Sequence, residues 1–359
     1  MTGVQRFATE FGIGNRHIAL NHPVYVMAEA GVNHNGDLVL AKRLVDVAVE
    51  AGADCVKFQT FKADRVATAS ASKAEYQKRV TDATESQREM LRKLELGFDQ
   101  HVELRRYCDS RNIDFLSTPY NAEDVALLER VGVHAFKLAS LHMAEPPFLR
   151  QVAAVGKPMI ISTGMATLEE IRAGLEAVLM VGNHNVVLLQ CTTNYPSRIE
   201  DANLLAMVEM AREFNVLVGY SDHTEGDTAC LAAVALGARV IEKHITLNKA
   251  MDGPDHSTSA DPDEFAALVK RVREVERSLG SPFKTPSEAE LENTPGMRRS
   301  IVMVGDLKAG TVIGDADLAF KRPGTGIPVA QLDAVVGQRL SRDVFHDEML
   351  SWSDLDGAR

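Results

Sequence analysis

From residue 24 onward one unit recurs eight times: a short apolar, β-branched run followed by a longer segment with helical periodicity. The runs are 24–31, 55–61, 113–119, 135–140, 158–164, 186–192, 216–222 and 239–246. Strands separated by helix-length connections cannot pair through tight hairpins, so their neighbours must be parallel and helices must cover the sheet. The helical segments carry the matching signals. In 38–51 Leu40, Leu44, Val45 and Ala48 share one face, and 167–180 opens T-L-E-E, close to a capping box. Eight such units within one 359-residue chain fit the ~250 residues of a (β/α)8 barrel better than a doubly wound sheet. No G-x-G-x-x-G follows the first run, which argues against a dinucleotide fold.

The flanks read differently. Residues 1–23 hold G-I-G-N and predict a hairpin ahead of the barrel, giving a first domain of 1–280. Between the second strand and its helix lies a polar insertion, 62–97, on the face where a barrel keeps its chemistry. Residues 281–297 are polar with several prolines and read as a linker; 298–359 has short strands and Gly turns, a small β-rich domain. The formal net charge of −11 excludes non-specific nucleic-acid binding and requires any positive charge near an anionic ligand to be local. Four cysteines without paired spacing predict free thiols. With no apolar leader and no membrane-length run, a cytoplasmic protein is expected.

The stretch G-A-R-V-I-E-K-H-I-T-L, residues 237–247, places Glu242, Lys243 and His244 inside a strand that otherwise reads as buried. Buried charges need partners, a ligand or a metal. In a barrel such groups belong at the C-terminal strand ends, and every strand supplies some. The first gives Glu29, then Asn33, His34 and Asn35; the second Lys57 and Gln59 on one face; the third Ser117 and Thr118; the fourth Lys137 and Ser140. The fifth gives Ser162 and Thr163, the sixth Thr192, Thr193, Asn194 and Tyr195, the seventh Ser221, Asp222 and His223. Any one hydroxyl among them is ordinarily a cap or loop residue, either lysine an ion-pair partner, and a lone strand-end histidine a hydrogen-bonding scaffold. Convergence on all eight strands argues for a site. Two lysines among hydroxyls suit a small anion with phosphate and carboxylate groups. His223 and His244, on adjacent strands, suit a divalent metal whose shell substrate and water complete. Glu29, Glu242 and Asp255 are candidates for proton transfer or hydroxyl binding.

The motifs I-G-N-R-H-I, M-A-E-A-G-V-N-H-N-G-D, A-G-A-D-C-V-K-F-Q-T, F-K-L-A-S, I-S-T-G-M, Q-C-T-T-N-Y-P, G-Y-S-D-H-T, V-I-E-K-H-I-T-L and G-P-D-H-S-T-S occur in order. With them the chain resembles the N-acetylneuraminate (sialic acid) synthase family along almost its whole length. The tail R-R-S-I-V…D-L-K-A-G-T-V-I…K-R-P-G-T-G-I resembles that family's antifreeze-like (SAF) domain. The resemblance implies a transferase that joins phosphoenolpyruvate to an open-chain amino-sugar aldehyde. His223 and His244 match the metal ligands, with Mn²⁺ expected and Mg²⁺ or Co²⁺ as substitutes. Lys57, Thr118, Lys137, Ser140, Ser162, Thr193 and Ser221 match the phosphoenolpyruvate side. Glu29, Gln59, Tyr195, Glu242 and Asp255 match the sugar side, and Glu29 is also the candidate acid or base. Arg322 in K-R-P-G is expected to reach the sugar from the partner chain of a domain-swapped homodimer. Lys243 points away from this mouth, and its role stays open, pairing with a helix carboxylate being the simplest reading.

The acceptor first expected is N-acetylmannosamine, giving a nine-carbon 2-keto acid and phosphate. The alternative is 2,4-diacetamido-2,4,6-trideoxymannose, the precursor of N,N'-diacetyllegionaminate. It is suggested by C-T-T-N-Y-P, where Thr193 takes the place of an asparagine in bacterial N-acetylneuraminate synthases. A non-catalytic sugar-binding relic would have no reason to keep both histidines, and a seven- or eight-carbon keto-acid synthase would not carry the SAF tail. His34 and His256 are given no catalytic role.

Overall fold

The protein's structure, a computed structural model, describes residues 7–74, 77–78, 81–82 and 84–357. The chain divides into two compact units, 1–280 and 281–359. In the first, β1 (Glu10–Ile13) and β2 (Arg16–Ala19) form an antiparallel hairpin. Eight parallel strands follow: β3 (Tyr25–Gly31), β4 (Cys55–Thr60), β5 (Asp114–Pro119), β6 (Phe136–Leu138), β7 (Met159–Ser162), β8 (Val186–Cys191), β9 (Leu217–Asp222) and β10 (Val240–His244). Their hydrogen-bonded order is β5-β4-β3-β10-β9-β8-β7-β6, and the two end strands lie against each other, so the sheet closes into a barrel. All eight expected strands form, each shorter than its apolar run by one to three residues. The trimmed residues are the strand ends where side chains start to face the loops.

The closed sheet uses the two-residue period of its strands to build layers. Tyr25, Met27, Cys55, Leu116, Ala135, Ile160, Val187, Leu189, Leu217 and Val240 fill the lower interior, and Phe11, Ile13 and Ile18 of the hairpin pack into the same cluster. The hairpin therefore plugs the N-terminal end of the barrel. The alternate residues face the helices: Val26, Ala28, Val56, Phe58, Phe115, Phe136, Leu138, Ile161, Leu188, Val218 and Ile241 join the main core. Above the apolar floor the same inward positions become Glu29, Lys57, Thr118, Lys137, Ser162, Ser221 and Glu242, all buried. The helices start where the sequence signals them. Asp37 caps Leu38–Glu50, and Thr167 forms a full capping box with Glu170 on Leu168–Leu179. The insertion contributes the short helices Ala63–Val66 and Gln87–Arg92.

In the second unit the polar stretch 281–297, expected as a linker, is helical over its last ten residues. Ser287 accepts from the Glu290 amide, Glu290 returns the bond, and a helix runs Glu288–Met297. Pro295 falls in its last turn, where the one backbone bond it removes leaves the preceding turns intact. Beyond it β11 (Ser300–Met303) pairs antiparallel with β12 (Leu318–Lys321) over a core of Ile301, Met303, Ile313, Ile327, Leu340, Val344 and Leu350. All four cysteines are free and buried. No helix among the described residues is long and apolar enough to cross a membrane.

Gly219 shows how tightly the interior is filled. A Cβ there would stand 2.3 Å from the Val240 carbonyl oxygen and 2.7 Å from Leu189 Cδ2. Gly219→Ala is expected to destabilise the barrel by about 1–3 kcal/mol through forced strand displacement. Calorimetry reads this as a lower Tm; an unchanged Tm would contradict that packing.

Candidate active site

The upper interior of the barrel is one cavity of about 510 Å³. Fourteen of the fifteen nominated residues line it: Glu29, Lys57, Gln59, Thr118, Lys137, Ser140, Ser162, Thr193, Tyr195, Ser221, His223, Glu242, His244 and Asp255. The fifteenth, Arg322, belongs to the second unit, where it is exposed and its Nε donates to the Met297 carbonyl at 3.2 Å. Strand geometry explains the convergence. Glu29, Lys57, Thr118, Lys137, Ser162, Ser221, Glu242 and His244 occupy inward positions near strand ends, and the loops that follow bring Ser140, Thr193, Tyr195, His223 and Asp255 over the rim.

The floor of the cavity is a chain of alternating charges. Lys57 Nζ lies 2.7 Å from Glu29 Oε2 and 3.9 Å from Glu242 Oε1, while Lys137 Nζ lies 3.3 Å from Glu242 Oε2. Hydroxyls complete the ammonium shells: Lys57 donates to Thr118 Oγ1 at 3.1 Å and Lys137 to Ser162 Oγ at 2.8 Å. Ser221 donates to Glu242 Oε1 at 3.1 Å. Glu29 Oε2 and Glu242 Oε2 are buried and accept no aligned hydrogen bond, their nearest partners being the Lys57 and Lys137 ammonium groups.

Burial and neighbours split the two carboxyls. Burial raises Glu29 to about 7, the nearby Lys57 ammonium offsetting only part of that and Glu242 adding to it. Burial also works against the Glu242 carboxylate, but the Lys137 and Lys57 ammonium groups outweigh it and bring it down to about 2. Burial likewise lifts Asp255 to about 6. For Lys57 the carboxylates of Glu242 and Glu29 overcome the burial penalty and raise its pKa, whereas burial wins at Lys137 and lowers it. One carboxyl thus stays ionised at neutral pH while another titrates there, a division suited to proton transfer beside an anchored charge.

The imidazoles of His223 and His244 meet edge to face with centroids 5.2 Å apart, and the Tyr195 ring lies tilted over His223 at 4.0 Å. His223 Nδ1 donates to the Thr192 carbonyl at 2.6 Å, which makes Nε2 the nitrogen available to a metal. Burial holds His244 well below its ordinary pKa, in the neutral form a metal requires, whereas at His223 burial is outweighed by the Cys191 sulfur and the Thr192 carbonyl and the pKa is raised, so a metal there displaces a proton. Asp255 Oδ2 lies 3.9 Å from His244 Nδ1. The pair therefore fits a divalent cation, but among the described residues no cluster of three or more His, Cys, Asp and Glu closes around one. A metal here would keep open positions for substrate and water.

Several lining residues escaped the sequence reading. Tyr120 donates to Gln59 Oε1, and Gln59 Nε2 donates to Glu29 Oε1, both at 3.2 Å, so Tyr120 reaches the charge chain through one amide. Its place after S-T-P at a strand end was the available signal. Val32, Phe61, Val66, Met90, Leu91 and Leu94 form an apolar wall, most of it from the insertion and therefore without periodicity to reveal it. Gly164 admits Thr193 and Ser140 so closely that a Cβ would meet their hydroxyls at 2.4 and 2.7 Å. His34 and His256 stay outside the lining; His34 Nδ1 accepts from the Gly36 amide, and His256 Nδ1 bonds Thr246 Oγ1. Lys243 pairs with Asp222 of the neighbouring strand at 2.6 Å, so the expected helix carboxylate is not its partner.

Comparison with known proteins places this geometry. The model of the NeuB family matches residues 44–284, and that of the SAF domain matches 298–356. The N,N'-diacetyllegionaminic acid synthase of Campylobacter jejuni is 43% identical, covering 90% of this chain and 98% of its own length. That of Legionella pneumophila is 44% identical, covering 92% and 94%. Human N-acetylneuraminate-9-phosphate synthase is 36% identical over 93% of each chain. The crystal structure of an N-acetylneuraminic acid synthetase from Leptospira borgpetersenii, in complex with citrate, superposes with a TM-score of 0.71 at 32% identity, covering 81% of this chain and 96% of that one.

The split of carboxyl pKa values is directly measurable. In a carbon-detected NMR titration Glu29 is expected to titrate near pH 7. Removing the ammonium that favours its carboxylate, by Lys57→Met, should move the midpoint higher still. A wild-type midpoint near the ordinary glutamate value would contradict the buried placement.

Proposed function

The chain belongs to the NeuB family, and from that premise we propose that it is a transferase condensing phosphoenolpyruvate with an N-acetylated amino-sugar aldehyde. C3 of phosphoenolpyruvate attacks the aldehyde carbon, water adds at C2 and inorganic phosphate leaves, giving a 2-keto acid. Lys57, Lys137 and the hydroxyls of Thr118, Ser140, Ser162, Thr193 and Ser221 bind the phosphate and carboxylate. Five of these seven stand on strands rather than loops, which holds the enol phosphate in one orientation. Glu29 takes the proton of the attacking water, and Gln59, Tyr195, Glu242 and Asp255 contact the sugar. His223 and His244 hold the divalent cation, Mn²⁺ in this reading, which polarises the aldehyde oxygen when bound.

Of the two acceptors, we favour 2,4-diacetamido-2,4,6-trideoxymannose over the N-acetylmannosamine first expected. The single observation that carries this is the apolar wall of Val32, Phe61, Val66, Met90, Leu91 and Leu94 on a cavity whose only lysine or arginine side chains, among the described residues, are Lys57 and Lys137. Hydrocarbon suits a 6-deoxy carbon and a second acetamido methyl. A 6-phosphate would need a cation of its own. The 43% and 44% identities to two diacetyllegionaminic acid synthases support the same choice.

The test is phosphate release from phosphoenolpyruvate with Mn²⁺ and each sugar in turn. A kcat/KM at least ~10-fold higher with the diacetamido sugar is expected, the discrimination one apolar pocket supplies. Preference for N-acetylmannosamine overturns the acceptor, and silence with both overturns the enzyme. The domain-swapped homodimer, with Arg322 serving the partner's sugar site, belongs to the same proposal. Subunit exchange between inactive Arg322→Ala and inactive His244→Ala chains should then restore roughly a quarter of wild-type activity, since half the dimers regain one complete site. No recovery would place Arg322 and His244 of one chain in the same site.

A further inference from the structure

Lys243 lies on the outer face of β10, where its neighbours Ile241 and Ile245 belong to the apolar core, and it is only 4% exposed. Its ammonium has three protons, and each has a partner: Asp222 Oδ2 at 2.6 Å, the Thr224 carbonyl at 2.5 Å and the Gly226 carbonyl at 2.9 Å. Asp222 is equally committed. Its Oδ1 accepts from the Thr224 amide at 2.8 Å and the Tyr220 hydroxyl at 3.1 Å, and its Oδ2 also accepts from the Cys230 thiol at 3.2 Å. One cation therefore gathers a carboxylate and two carbonyls from five consecutive residues, 222–226.

His223 is the residue inside that knot. The residues on both sides of it are fastened to Lys243, Asp222 through its carboxylate and Thr224 through its carbonyl, while the His223 carbonyl accepts from the Ser197 amide at 2.8 Å. Three oxygens converging in a buried space repel one another unless a cation lies among them. Without it the cheapest relief is a turn of the 222–226 backbone, and any such turn carries the His223 ring away from His244.

We propose that Lys243 is a positioning residue whose ammonium organises the 222–226 turn and so aims the His223 imidazole at His244 across the cavity. The proposal rests on the reading of His223 and His244 as the metal-holding pair. It explains why a charge sits on the core face of this strand: it serves the site through the turn without touching a ligand. A second cavity, of about 470 Å³, is lined by Lys243, Thr224, Gly226 and Asp227 on this outer side, and it gives a small amine a route to the same oxygens.

The experiment measures Mn²⁺ affinity of the full chain without substrate, from the free-ion signal in electron paramagnetic resonance. Lys243→Ala is expected to bind Mn²⁺ about 10–100-fold more weakly, the loss typical of removing a group that orients a metal ligand. Methylammonium or ethylammonium should restore most of that loss. Wild-type Mn²⁺ affinity in folded Lys243→Ala overturns the proposal, and so does an amine that restores Tm without restoring affinity, since the lysine would then be structural only. Should Lys243→Ala not fold, the double variant Lys243→Met with Asp222→Asn removes both charges together. It should fold and still bind Mn²⁺ weakly, and wild-type affinity there overturns the proposal as well. His223→Ala separates the premise from the inference: if Mn²⁺ binding survives it unchanged, the metal assignment itself falls and takes the positioning role with it.

Discussion

Everything at the site depends on the buried chain Glu29–Lys57–Glu242–Lys137. Four ionisable groups from four strands stand at the centre of a barrel, each less than 4% exposed. Any one alone would carry a desolvation penalty of several kcal/mol, and removing one partner of such a pair leaves the other uncompensated. Alternation of sign along the chain makes the arrangement tolerable. It also makes register critical. Glu29 stands opposite Lys57 on one side and His244 on the other, and a one-residue slip of β10 would turn Glu242 and His244 into the helix layer. The apolar layers below, closed by the hairpin, keep water from relaxing that requirement.

The same chain defines what can bind. Glu242 touches both ammonium groups, so an incoming phosphate or carboxylate meets lysines that are already paired. Two features make room for it. The hydroxyls of Thr118, Ser162 and Ser221 can turn from their present partners to a ligand oxygen. Glu29, raised to about 7, can become neutral as negative charge accumulates, at little free-energy cost near that pH. In the proposed reaction a carboxyl kept near neutrality by burial would let one pocket accept an anion and still move a proton.

Most of this was legible in the sequence, for a specific reason. Strands of a barrel read as uninterrupted apolar runs, so a Lys, Glu or His within one stands out, and the two-residue period assigns its face. Lys57, Lys137, Glu242 and His244 were therefore readable one by one. The apolar wall was not, because Val66, Met90, Leu91 and Leu94 come from an insertion with no period and look like ordinary packing residues. Tyr120 was missed because its link to Glu29 passes through Gln59, a contact set by two different strands. The helix over Glu288–Met297 was hidden by Pro295 and Gly296; its capping box, S-E-A-E, was the stronger signal and lay in plain view. The partner of Lys243 was misassigned because a cross-strand contact depends on register, which the sequence of one strand does not contain.

The triplet Glu242–Lys243–His244 is intelligible once the sheet is seen as a partition. Successive side chains leave opposite faces, so Glu242 and His244 enter the cavity while Lys243 enters the helix layer. Two polar systems then run back to back through one strand: the charge chain that lines the cavity, and the knot of Asp222, Thr224 and Gly226 on the outer side. They meet again only at His223, which leaves β9 between the two. A strand with a single charged face could supply chemistry or hold a loop. Charge on both faces lets one backbone register determine where the ligand charges sit and where the loop that completes them must turn.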